Sequence, residues 1–252
     1  MSSPATTPRG APRTGTRSAG SAPPALDGAN RARTARALLA CGAAAGPVYV
    51  LVSLAHAVAR DGFDPTRHSW SLLALGSLGW LHIITFELTG VLVLALAVGL
   101  RRALRGGPAA TWAPLLLGAY GASLLAAGGF RADPAFGFPP GTPDEPAAPS
   151  WHGTLHLAAG GIGFICLFAA CLVVARRFAA ERRTDWAWCS RLTGVLLLAG
   201  FAAVASGSPG WPVVAFTVAV VVTWAWLSAL AISTYRSLPT PGKEATRTGK
   251  GN

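Results

Sequence analysis

The chain has 252 residues, 52% of them hydrophobic and only 12% charged, with a mean hydropathy of +0.44. That is too apolar and too charge-poor for an ordinary soluble domain. The net charge of +11 does not indicate nucleic acid, because the basic residues stand dispersed at the ends of apolar stretches instead of forming one patch; membrane topology and anionic lipid headgroups account for them. The strong preference for Arg over Lys, with heavy Ala and Gly usage, points to a GC-rich bacterial genome.

Residues 1–36 are rich in Ser, Thr, Pro, Ala, Gly and Arg, nearly devoid of acid, and are expected to be a disordered basic tail. A first span comes next at 37–59, interrupted by Gly46-Pro47, which should bend it, and closing on His56 and Arg60. It is too long for the apolar region of a cleavable signal and is expected to act as the anchor itself. Residues 61–77 turn at Gly62 and Asp64-Pro65 and then read as a short interfacial helix around Trp70, capped by Ser69. The second span, 78–100, carries His82 and Glu87 and ends on Arg101-Arg102. The third, 112–130, carries the small residues Gly118, Ala122 and Ala126, and a proline-rich loop of about 131–151 with Asp133, Asp144 and Glu145 comes after it. A loop that long is either functional or disordered. The fourth span, 152–175, has His156, Gly160 and Gly163 at packing spacing, so it is expected inside the bundle. The fifth and sixth, 192–208 and 212–234, are joined by Pro209-Gly210-Trp211-Pro212, and 236–252 form a second disordered tail.

Each span approaches the roughly 20 apolar residues needed to cross a bilayer. The expected fold is therefore all-α: one polytopic domain, residues 37–235, of six transmembrane helices. Of the 21 basic residues, all but Arg60, Arg67 and Arg131 belong to the tails or to the second and fourth loops, which predicts both termini in the cytoplasm of a bacterial inner (plasma) membrane. Cys41, Cys166, Cys171 and Cys189 map to the cytoplasmic half and read as buried apolar residues without a disulfide.

Against that orientation, all five histidines gather on or just beneath the outer face. His152 and His156 stand one helical turn apart, a spacing at which two imidazoles can hold one metal ion, although no Glu follows the first His as in zinc proteases. The competing reading puts His152 at the interface beside Trp151 and gives His156 one interhelical hydrogen bond. Asp133 can ligate a metal, orient a His, pair with Arg131 or serve a helix end. Glu87 is the only acid inside a span; an ionisable group there costs at least ~2.5 kcal/mol, so it should face the interior, as a proton relay or as a neutral hydrogen-bonded side chain. It lies about 140° around the helix from His82, so the two do not share a face. His56 and His68 each read alone as interfacial polar residues, and His68 joins His82 as a further candidate ligand.

The stretch Arg67-His68-Ser69-Trp70-Ser71-Leu72-Leu73-Ala74-Leu75-Gly76, with Gly79-Trp80, Leu88-Thr89-Gly90 and Gly99-Leu100-Arg101-Arg102, resembles the first half of the bacterial DUF998 family of polytopic membrane proteins. Gly129-Phe130, Asp133-Pro134, Trp151-His152-Gly153, His156 and Ala175-Arg176-Arg177-Phe178 are similar to its second half, so that the resemblance covers most of 45–235. The resemblance implies a six-span bundle and supplies no activity. Three functions are then expected in order. The first is a His/Asp-lined polar pocket at the extracytoplasmic face, roofed by 61–77 and 131–151, that binds a small or lipid-like molecule among membrane lipids. The second is an intramembrane metal-dependent hydrolase in which zinc or another divalent ion sits on His152 and His156 with Asp133 and His68 or His82, while Glu87 assists proton transfer. The third is a bis-His haem protein using His82 and His156.

Overall fold

A computed structural model describes residues 24–145 and 148–239 of the chain. The described residues form six α-helices: α1 (Pro24–Ala59), α2 (Gly79–Ala103), α3 (Ala109–Gly129), α4 (Trp151–Ala180), α5 (Thr184–Ala205) and α6 (Trp211–Ser237), with a short 3-10 helix at Trp70–Ala74 before α2. All six are long and apolar enough to cross a membrane, which makes the chain a multi-pass membrane protein. Helices satisfy their own backbone polar groups, and that is why nothing else is needed to carry these apolar runs through lipid.

Each helix packs on the next in sequence and α6 closes back on α1, so the bundle is a ring of six. Glycines set the close approaches around it. A Cβ on Gly46 would run into Trp224 and Ser228 of α6, one on Gly90 would meet the Gly121 carbonyl of α3, one on Gly163 would strike Ser123, and one on Gly194 would press on Cys171. In lipid, where apolar surface gains little from burial against another helix, such backbone proximity is the main source of packing energy. With an even number of spans the start of α1 and the end of α6 lie on one face, called here the terminal face, and Arg36 donates from α1 to the Leu238 and Pro239 carbonyls beyond α6. Trp112 and Trp188 stand exposed towards the terminal face and Trp80, Trp151 and Trp211 at the far face, two aromatic girdles of the kind that sit at headgroup level.

Several boundaries differ from those read in the sequence. The helix of the first span reaches back to Pro24, so 24–36 is helical rather than disordered; Arg31 to Leu39 is a run of good helix formers, and Pro suits a helix start. The expectations for 1–23 and for 240–252 lie outside the described residues. α1 continues unbroken through Pro47. α5 begins at Thr184, ahead of the expected 192, because Asp185 suits its first turn and Arg191 lies over the Trp188 ring at 4.9 Å, which lets polar side chains ride on a helical segment. The 3-10 helix is not laid open on the surface: Trp70, Leu72, Leu73 and Ala74 are all buried. Leu72 and Leu75 form a small core with Phe138, a residue of the 131–150 loop. Ser69 precedes this helix without capping it, its hydroxyl lying 3.1 Å from that of Ser71.

Candidate functional site

The far-face half of the ring is not filled. A cavity of about 300 Å³ lies there, lined by all six helices, by the 3-10 helix and by the start of the 131–150 loop. Its deepest lining residues, Phe164 and Trp224, are each 13 positions into α4 and α6, so it reaches about 20 Å from the far ends of those helices at 1.5 Å per residue. The floor is aromatic. Tyr49 stacks on Trp224 at 4.6 Å between centroids, and Tyr120 lies 6.1 Å from the same indole. Phe86, Phe201 and Phe216 extend that wall. Leu157, which is 53% exposed, and the exposed Ala205 also line the cavity, so it opens between the far ends of α4 and α5.

Apart from Tyr49 and Tyr120 on the floor, polar lining residues are few and sit towards the far face: Ser69, Ser71, Ser123, Asp133, His156 and Thr217. His156 is the imidazole the cavity receives. Its Nδ1–H donates to the carbonyls of Ala127 (3.0 Å) and Phe130 (2.8 Å), acceptors left over at the end of α3. Since both partners are acceptors, the proton is on Nδ1 and the lone pair on Nε2 is free for a donor. Asp133 spans the start of α4. One carboxylate oxygen accepts the Ser150 N–H at 2.9 Å, the other accepts the Ser150 hydroxyl, and that hydroxyl accepts the Gly153 N–H in turn. A carboxylate at a helix N-terminus is well placed against the helix dipole, so of the roles open to Asp133 the helix-end role is the one built here.

The remaining candidates do not converge with these two. His152 lies outside the cavity lining; it is in the first turn of α4, and its ring folds onto Trp151 at 3.7 Å and near Phe130 at 6.0 Å. His68 is 3% exposed and both of its nitrogens are engaged, with Nδ1 accepting from the Asp64 N–H and Nε2 donating to the Phe136 carbonyl, each at 2.9 Å. It is a latch between two far-face loops. Glu87 packs over Gly128 at the seam of α2 and α3, away from the cavity. His82 is fully buried, with Phe86 against it at 4.9 Å and against His156 at 6.1 Å, so an aromatic ring packs on both imidazoles of the haem reading. Among the described residues no three His, Cys, Asp or Glu side chains come close enough to share one metal ion. In particular, the set His152, His156, Asp133 and His68 or His82 does not assemble.

What the sequence did not disclose is the aromatic wall. Tyr49, Phe86, Tyr120, Phe164, Phe216 and Trp224 each look like ordinary core residues of an apolar helix, and only their arrival from five helices around one cavity makes them a lining. His56 likewise reads as interfacial in the sequence, yet it is 3% exposed and faces His82.

No curated protein and no solved structure matches the chain. The sequence profile of the family described as a protein of unknown function, DUF998, matches residues 43–233, which runs from within α1 to within α6, and the chain belongs to that family.

Proposed function

We propose that this protein binds a lipid-like molecule in the far-face cavity, without catalysis, and that it does so in the cytoplasmic membrane of a bacterium with both termini inside and the cavity on the extracytoplasmic side. The observation that carries the reading is the cavity itself: about 300 Å³, aromatic at its floor, and open between α4 and α5 where Leu157 is exposed. This volume lies at the small end of ligand sites, enough for one acyl or prenyl segment and too little for a whole phospholipid. An apolar segment enters from the bilayer between α4 and α5, while a hydroxyl or amine on its head donates to Nε2 of His156 near the Ser69 and Ser71 hydroxyls.

The charge pattern supports the orientation, since Arg101, Arg102, Arg176, Arg177, Arg182 and Arg183 all flank terminal-face turns. Ligand binding is favoured over a metal-dependent hydrolase because His68, Asp133 and the Nδ1 of His156 are already engaged in holding loops and helix ends together. The test is photolabelling in native membrane vesicles with an acyl chain carrying a diazirine. Label located by fragmentation on Phe201, Phe216 or Trp224 themselves is the expected result. Label confined to outward residues such as Ile162, Ile165 and Val218 contradicts the proposal.

A further inference from the structure

Next to the cavity, but not part of its lining, is a pair of imidazoles with nothing to bond to. His56 comes from the last turn of α1 and His82 from the first turn of α2; they are 3% and 0% exposed, and none of their four ring nitrogens has a hydrogen-bond partner. One turn before His56 on α1, the Ser53 hydroxyl is likewise fully buried and unpartnered. Buried polar atoms in folded proteins are almost always satisfied, so five orphans on one facing surface of two helices mark a place built for an occupant.

Distance narrows what the occupant is. The two ring centroids are 6.1 Å apart, tilted by 46°. A direct N–H···N bond of about 2.9 Å would bring the centroids to about 5.1 Å, allowing about 1.1 Å from each nitrogen to its ring centre. With one nitrogen of each ring turned to the other, a single ion bound by both at about 2.0 Å per bond puts the centroids at about 6.2 Å. The surroundings narrow it further. Tyr49 at 6.0 Å and the edge of Phe86 at 4.9 Å wall His82 in, and the charged group one turn beyond His56 is Arg60, a cation anchored on the Leu75 carbonyl. With no carboxylate or thiolate in the group, a divalent ion would keep its full charge in an apolar setting, at about four times the desolvation cost of a monovalent one, because that cost scales with the square of the charge. Two imidazoles with unpartnered nitrogens suit a closed-shell monovalent ion that needs only two donors, and copper is a metal that imidazole binds well.

We infer that His56 and His82 form a two-coordinate site for copper(I), separate from the cavity proposed to hold the lipid-like ligand. Binding is the whole of the proposal; no electron transfer is invoked, and the ion enters and leaves as copper(I).

The experiment is an anaerobic titration of the purified full-length protein in nanodiscs with copper(I), against a chromogenic copper(I) chelator, and then X-ray absorption at the copper edge. One copper per chain is expected, with only nitrogen donors, two of them imidazole. Binding should weaken at least tenfold in His56→Ala and in His82→Gln and stay within twofold of the parent in His152→Ala. Copper-free protein at chelator concentrations that leave copper(I) available overturns the proposal, and means that water alone satisfies these nitrogens. Sulfur scattering, from Cys41, Cys166, Cys171 or Cys189, overturns it equally. Should the alanine and glutamine variants not elute as folded protein, the donor set measured on the parent decides by itself.

Discussion

Gly160 gives the sharpest handle on the cavity. His156, Gly160 and Phe164 succeed one another at four-residue intervals along the lining face of α4, and a Cβ on Gly160 would meet nothing closer than Phe164 at 4.0 Å. A leucine placed there grows into free space. Its four carbons, each taking about the ~30 Å³ of a water molecule, fill roughly 120 Å³. That is more than a third of a cavity of about 300 Å³. A ligand forced into the remainder meets overpacking of about 1–3 kcal/mol. At about 1.4 kcal/mol per decade, its affinity falls roughly 5- to 150-fold. The fold should not suffer, since removing a glycine from a helix interior gains up to about 1 kcal/mol. Gly163, three residues on, is the control: there even an alanine Cβ strikes the Ser123 side chain, so Gly163→Ala should lower stability by about 1–3 kcal/mol. The assay is titration of a fluorescent acyl probe into nanodiscs carrying each variant, with thermal unfolding read in parallel. A folded Gly160→Leu protein that binds the probe as tightly as the parent would mean that the ligand sits elsewhere.

Two further outcomes concern the far-face loops. His68→Ala leaves the Asp64 N–H and the Phe136 carbonyl without partners and removes a ring packed at 5.4 Å on Phe63 and 5.2 Å on Phe138, so stability should fall by about 3 kcal/mol and protease should cut within 131–145; unchanged melting and cleavage would rule out the latch. Asp64 accepts from the Thr66 hydroxyl at 2.7 Å and the Thr66 N–H at 2.8 Å, and those two bonds hold its carboxyl below the ordinary aspartate value. A carboxyl lowered in the folded state stabilises it at pH above the unfolded value, about 3.9, and that contribution is lost as pH falls through the lowered one. Hydrogen exchange at the Thr66 amide should therefore accelerate, beyond its intrinsic pH dependence, only below about pH 4. Asp64→Asn should remove that acid step.

The spans and their order were legible because lipid demands long apolar helices and punctuates them with arginine pairs such as Arg101-Arg102 and Arg176-Arg177. What stayed hidden depends on contacts between distant segments. The 3-10 helix at Trp70–Ala74 looks interfacial by composition, and only Phe138, far along the chain, shows that Leu72 and Leu75 are covered. His152 and His156 share a helix face by spacing, yet one starts the helix and folds onto Trp151 while the other is turned by the carbonyls at the end of α3. Helical periodicity places side chains on their own helix and does not say how that helix is rotated against its neighbour. The pairing of His56 with His82 required that rotation, and so did the meeting of Tyr49 with Trp224.

Whether an apolar molecule occupies the far-face end of the six-helix ring is decided by native mass spectrometry of the protein released from membranes into mild detergent. A mass increment of one lipid-like molecule per chain should be retained in the parent and lost in Gly160→Leu. A bare chain mass for the parent, or an identical increment in both proteins, would show that the cavity holds no such ligand.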